Sequence, residues 1–140
     1  MRSFETKIRV EYHHTDQMGI VHHSNYVKFF EVARTEWLRA IGLTYAEMVR
    51  RGVMMPIVEV QVKYRMPAYY DELISVRAIV DEMPMARMTF RYEIRGEDGR
   101  DIASGLTTLG FIDKQTRRPH RAPQWLMEVL ERELAELIVG

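Results

Sequence analysis

The run Tyr12-His13-His14-Thr15-Asp16-Gln17-Met18-Gly19-Ile20-Val21-His22-His23-Ser24-Asn25-Tyr26 holds the residues of this chain best suited to chemistry. Four histidines, one carboxylate and a glycine lie between a strand-like segment and a helical pattern. A helix N-terminus presents free backbone N–H groups and positive potential. A carboxylate beside it could attack a carbonyl, or direct water at it, while those N–H groups hold the carbonyl oxygen. The chemistry this pattern suggests is acyl transfer, with Asp16 as the reacting carboxylate.

The elements that must position Asp16 are legible from periodicity. Residues Phe4 to Tyr12 alternate at Ile8, Val10 and Tyr12, as a strand does. Tyr26, Phe29, Phe30, Ala33, Trp37 and Ile41 then recur at helical spacing, with Lys28, Glu31, Thr35 and Arg39 mostly on other faces. Ser24 or Asn25 suits the cap of this helix and Gly42 its end, giving a length of roughly 25 Å. Thr44 to Arg51 reads as a short second helix closed by Gly52. Strand patterns follow at Ile57 to Tyr64, Leu73 to Val80, Met88 to Ile94 and Ile102 to Ile112, with an Asp98-Gly99 hairpin turn before the last. Pro123 suits the first turn of a final helix, with Leu126, Val129, Leu130, Leu134 and Leu137 inward. The class is α+β: an antiparallel sheet of about five strands with a long helix packed across it and a helix last.

Bulk properties exclude several classes. The 140 residues are expected to form one domain, 1–140, able to bury roughly 70% of its extended-chain surface. Twenty basic and twenty acidic residues cancel, so no global field draws nucleic acid or anionic membrane. There is no cysteine, hence no thiol nucleophile, disulfide or cysteine–zinc site. No run approaches the roughly 18 apolar residues of a membrane span, and the opening residues lack an apolar signal region, so a cytoplasmic protein is expected. The serines lie in no Gly-x-Ser-x-Gly context, and no phosphate-cradling glycine loop or dinucleotide fingerprint is present. The histidine pairs match no common zinc spacing. His13 and His14, read as strand neighbours, would point to opposite faces, so no metal is expected.

Asp16-x-x-Gly19-x-Val21-x-His23-x-x-Tyr26, followed by Phe30-Glu31-Val32-Ala33-Arg34-Thr35-Glu36, resembles the motif of the 4-hydroxybenzoyl-CoA thioesterase family. The likeness is greatest to its bacterial branch of Tol–Pal-associated acyl-CoA thioesterases. It is strongest from Phe4 to Leu43, and Tyr64-Arg65-Met66-Pro67-Ala68 through Asp71-Glu72-Leu73 also fits. The resemblance implies a single hotdog domain, a sheet wrapped around the central helix. It implies hydrolysis of an acyl- or aroyl-CoA without a cofactor, coenzyme A being part of the substrate, in a homodimer or homotetramer. Each site would lie at a subunit boundary, with Asp16 facing the partner around positions 54 to 60.

The family's acid falls on Asp16, as nucleophile through a mixed anhydride or as base toward water. His23 aligns with the branch's histidine. Either its imidazole takes part, or only its backbone N–H matters as an oxyanion donor. Gly19 permits close backbone approach where substrate passes, and Met18 is the best methionine for the acyl pocket. Val21 belongs to the same motif, and Tyr26 reads first as core and second as a substrate contact. His13 and His14 read as solvated or supportive, His22 takes a position often aromatic in the family, and Glu31 reads as a partner of Arg34 or of a neighbouring subunit. Arg117 and Arg118, in the densest basic cluster, are the candidates for the coenzyme A phosphates. The competing possibility is a non-catalytic hotdog that binds acyl-CoA or docks a protein.

Overall fold

A computed structural model describes residues 1–138. Five strands form one antiparallel sheet in the order β1-β4-β5-β6-β3. They are β1 (Ser3–Arg9), β3 (Ile57–Tyr64), β4 (Leu73–Ile79), β5 (Arg87–Arg95) and β6 (Asp101–Gly110). A two-residue ribbon pairs β2 (Val53–Met54) with β7 (Ile112–Asp113). Helix α1 (Tyr26–Ala40) crosses the sheet, α2 (Tyr45–Arg50) follows it, and α3 (Gln124–Glu133) comes last.

The apolar stripe of α1 is the core. Tyr26, Phe29, Phe30, Ala33, Trp37, Leu38 and Ile41 are buried against Ile74, Val76, Met88, Phe90, Tyr92 and Ile94. Phe30 stacks on Tyr92, with ring centroids 4.3 Å apart and planes at 7°. Gly105 lies beneath them on β6. A Cβ there would collide with the Gln61 carbonyl and stand 2.6 Å from Phe30 Cε2. Arg34, also buried, donates from Nη1 to the Tyr92 hydroxyl at 3.0 Å, and that hydroxyl is 2.6 Å from Thr107 Oγ1.

Several boundaries differ from the sequence reading, each for a local reason. The first strand stops at Arg9, not Tyr12, because Tyr12–His14 turns into a 3₁₀ segment tied by Glu11 N–H to His14 Nδ1. The last long strand ends at Gly110, whose N–H bonds the Pro56 carbonyl. The chain then bends so that Ile112 pairs with Met54. Asn25 does precede α1, but its side chain makes no cap. It donates to the His14 carbonyl at 2.8 Å instead. Thr44 caps α2 as expected, accepting from Glu47 N–H. Gly42 and Gly52 take positive φ after α1 and α2. Pro123 stands just before α3 rather than inside it. Glu31 does not pair with Arg34 within the chain; both line a separate cavity of about 410 Å³.

Gly105→Ala is expected to destabilise the fold by about 1–3 kcal/mol, because backbone and an aromatic ring both occupy the space the methyl needs. Thermal unfolding should show a drop of several degrees in Tm, and an unchanged Tm would contradict the packing described.

Candidate active site

Asp16 opens a tight turn whose arms meet as the Thr15–Val21 bridge. The Asp16 N–H bonds the Ile20 carbonyl at 2.9 Å, and the Gly19 N–H returns to the Asp16 carbonyl at 3.1 Å. Gly19 sits at φ +76, a conformation that favours glycine. Asp16 Oδ1 accepts the Met18 N–H at 2.8 Å, which orients the carboxylate.

The chain then enters a 3₁₀ turn, His23–Asn25, that runs into α1. His22 Nδ1 accepts the Ser24 N–H at 3.2 Å and lies 2.8 Å from Ser24 Oγ, so this imidazole serves as the cap. The His23 N–H meets no protein acceptor among the described residues. It belongs to the unpaired donors that a helix start leaves over. The His23 carbonyl accepts from the Tyr64 hydroxyl at 3.3 Å. Tyr64 also meets the Tyr26 ring edge-on at 5.3 Å, so the end of β3 is joined to the start of α1.

These groups enclose a cleft of about 400 Å³ lined by Asp16, Ile20, Val21, His22, His23, Tyr26 and the segment from Tyr64 to Pro67. Asp16, Val21, His23 and Tyr26 thus come together as the sequence suggested, with Gly19 in the turn behind them. Tyr26 is almost fully buried, and that burial pushes its hydroxyl pKa up, keeping it protonated. It is a neutral wall of the cleft.

Three sequence candidates lie outside this cleft. Met18 projects from the turn tip at 77% exposure and does not line the cleft, since its N–H, not its side chain, is held by Asp16. Arg117 and Arg118 flank the β2–β7 ribbon beside the start of β3, whereas the cleft adjoins its end. Eight strand residues, about 26 Å, separate the two ends. His13 and His14 are not strand neighbours on opposite faces. The 3₁₀ turn brings their rings within 4.1 Å and gathers Glu11, His13 and His14 within 4.8 Å. His14 Nδ1 accepts the Glu11 N–H there, so its other nitrogen carries the proton, which does not suit a metal ligand. Burial and neighbouring His13 lower the His14 pKa and keep that ring neutral.

No spacing in the sequence points to the wall from Tyr64 to Pro67, and a largely buried ion pair holds it. Val21 N–H bonds the Ala68 carbonyl, and Tyr70 N–H bonds the Gly19 carbonyl. That segment is fixed in turn by Glu72 and Arg100. Arg100 Nη2 donates to both Glu72 oxygens at 2.6 and 2.7 Å, and Arg100 Nε donates to the Pro67 carbonyl at 3.3 Å. Glu72 also accepts the Tyr69 and Glu97 N–H groups. Burial pushes the Glu72 carboxyl up, but these bonds outweigh it and hold its pKa below the usual carboxylate range. The signal available in the sequence was the Tyr64 to Leu73 stretch of the family resemblance.

The chain is similar to known proteins in sequence and in fold. Residues 10–130 match the family model of the thioesterase-like superfamily. The putative acyl-CoA thioesterase YneP of Bacillus subtilis is 30% identical over 119 residues, covering 85% of this chain and 86% of that protein. The acyl-CoA thioester hydrolase YbgC of Escherichia coli O6:H1 is 26% identical, covering 86% and 90%. The crystal structure of a DHNA-CoA thioesterase from Staphylococcus aureus superposes with a TM-score of 0.88 at 32% identity, covering 96% and 93%. The protein is a hotdog-fold thioesterase enzyme. The chain belongs to the thioesterase-like superfamily.

Arg100→Met leaves the Glu72 carboxylate poorly paired while nine-tenths buried, and should cost about 3 kcal/mol. The depressed Glu72 pKa stabilises the fold above roughly pH 4.3, and that contribution is lost as pH falls through the folded-state value. Acid unfolding followed by circular dichroism should therefore start at higher pH in the variant. Coincident acid transitions would show that the pair does not hold this wall.

Proposed function

We propose that the enzyme hydrolyses the thioester of an acyl- or aroyl-CoA, using Asp16 and the start of α1. The reading is supported above all by one cleft lined by both Asp16 and His23, whose N–H has no acceptor among the described residues. The substrate class is supported by the names of the relatives, each an acyl-CoA or aroyl-CoA thioesterase. The Asp16–Gly19–Val21–His23–Tyr26 motif supports the narrower placement in the 4-hydroxybenzoyl-CoA branch with the Tol–Pal-associated enzymes. A cofactor-free, cytoplasmic enzyme is the matching proposal, and no helix among the described residues is long and apolar enough to cross a membrane.

In the proposed chemistry the thioester oxygen accepts from the His23 N–H, which needs no reorganisation to receive it. Met18 N–H engages Oδ1 of Asp16 and leaves Oδ2 available. Oδ2 either attacks the carbonyl carbon or takes a proton from the attacking water. In the first route the tetrahedral intermediate expels the thiolate, and water then cleaves the Asp16 anhydride. In the second, hydroxide adds directly and the same thiolate leaves. In both, the products are the free acid and coenzyme A.

The site is proposed to be completed by a second copy of the chain. Both edges of the sheet differ in kind. β1 exposes Glu5, Lys7 and Arg9, charges that discourage pairing, whereas β3 exposes Ile57, Val58 and Val60 at 40–49%. β3 is the edge that needs a partner. A homodimer joined there, or two such dimers, would bring the partner's segment 54–60 toward Asp16.

Asp16→Asn keeps the shape and removes the reacting oxygen, so hydrolysis of a panel of acyl-CoA esters should fall by roughly 10²–10⁴-fold with the fold retained. Near-normal turnover in the folded variant would sink the assignment. His23→Ala separates the two roles of that residue: activity largely kept points to the backbone N–H, and a loss of about 10²-fold points to the imidazole.

Light scattering during dilution, read together with specific activity, tests the assembly. A dimer or tetramer is expected at micromolar concentration, with activity lost as it dissociates. A fully active monomer would refute the shared site.

A further inference from the structure

Outside the cleft, the sheet face turned away from α1 carries a groove of about 380 Å³. Its lining includes Lys63, Arg65, Arg91, Arg95 and Leu106, with Glu93 and Asp101 as the only carboxylates. The charges are not equally satisfied. Arg91 is bound by Asp81 and Glu93, at 2.9 and 3.0 Å. Arg65 reaches Asp101 only at 3.7 Å and donates to Ser104 Oγ at 2.8 Å. Among the described residues, Lys63 and Arg95 have no carboxylate within salt-bridge distance. Two free cations and one loosely held guanidinium therefore border a concave surface with an apolar floor at Leu106.

Arg65 belongs to both cavities. It lines the Asp16 cleft and the outer groove, because it follows the last residue of β3, where the chain rounds the sheet edge. A ligand held by its reactive end in the cleft and extended past Arg65 enters the groove. A coenzyme A ester has this layout: a thioester on a long uncharged arm, ending in a phosphorylated nucleotide.

We propose that the groove of Lys63, Arg65 and Arg95 is the subsite for the nucleotide phosphates of the coenzyme A ester. This rests on the thioesterase reading above. Guanidinium groups match phosphate oxygens in a fork, and Lys63 supplies a point charge. Leu106 and the flat faces of the arginines give the adenine an apolar bed. The concavity suits a small ligand better than the surface of an acidic carrier protein. The assignment moves the phosphates from Arg117 and Arg118, at the far end of β3, to cations contiguous with the cleft.

The test compares an acyl-CoA with the same acyl group on N-acetylcysteamine, which keeps the thioester and lacks the phosphates. In Lys63→Ala and Arg95→Ala, the preference in kcat/KM for the coenzyme A ester should fall by roughly tenfold each, through KM. Added salt should erode the same preference in the unmodified enzyme. Calorimetry with adenosine 3′,5′-bisphosphate should show weakened binding in the same variants. Equal losses on both esters would mark a structural role and overturn the subsite. So would an unchanged preference, a KM increase confined to Arg117→Ala and Arg118→Ala, or an effect seen only with acyl carrier protein as donor. If the unmodified enzyme hydrolyses neither ester, the thioesterase reading fails, and the bisphosphate titration still decides the subsite.

Discussion

The close approach of α1 to the sheet is the constraint on which the site depends. Phe30 can lie flat on Tyr92 only because β6 carries no side chain at Gly105. Interiors pack at crystal-like density, so a single methyl at this point is felt through the layer. The same contact fixes the height and direction of α1. Its N-terminus then meets the end of β3, where Tyr64 touches Tyr26 and the His23 carbonyl. The unpaired N–H of His23 is thus held in place by core packing rather than by the loop that bears it. The buried Arg34–Tyr92–Thr107 chain of hydrogen bonds adds direction to a contact that stacking alone would leave free to slide.

The opposite wall is held by electrostatics. The 67–72 segment is irregular backbone, and irregular backbone near a cleft must have its polar groups satisfied. Glu72 and Arg100 do this for Pro67, Tyr69 and Glu97, and the segment then accepts and donates to the Asp16 turn through Ala68 and Tyr70. A largely buried ion pair that also binds backbone is favourable where an isolated buried pair is not, because its desolvation is offset by several bonds. Packing sets one side of the cleft, and a charge cluster sets the other.

Much of this was legible in the sequence because its strongest signals are periodic. The α1 stripe, the strands and the Gly42 and Gly52 stops are local patterns that tertiary contacts did not overrule. Asp16, Val21, His23 and Tyr26 were found together because they lie within one short run. What failed was information of longer range or finer geometry. Tyr64 enters the cleft from forty-odd residues away, and no spacing announces that. The alternation before His13 and His14 implies strand geometry, but a three-residue 3₁₀ turn brings the two rings together instead. The charge density of the Arg117–Arg118 cluster says nothing about which end of β3 it reaches.

The edge strand ties these observations together. β3 ends at the cleft wall and begins beside the β2–β7 ribbon, and its exposed Val58 and Val60 lie between. A two-fold axis normal to the sheet would set two copies of β3 antiparallel, with the start of one beside the end of the other. The ribbon and the basic turn at Arg117 would then approach the partner's cleft, although they lie a strand length from their own. One strand would supply the recognition edge, one wall of its own site and the neighbourhood of its partner's. In such an assembly its apolar face would answer to packing between copies and to catalysis at once. A substitution at Val58 or Val60 that changed only one of them would show that the strand does not couple the two.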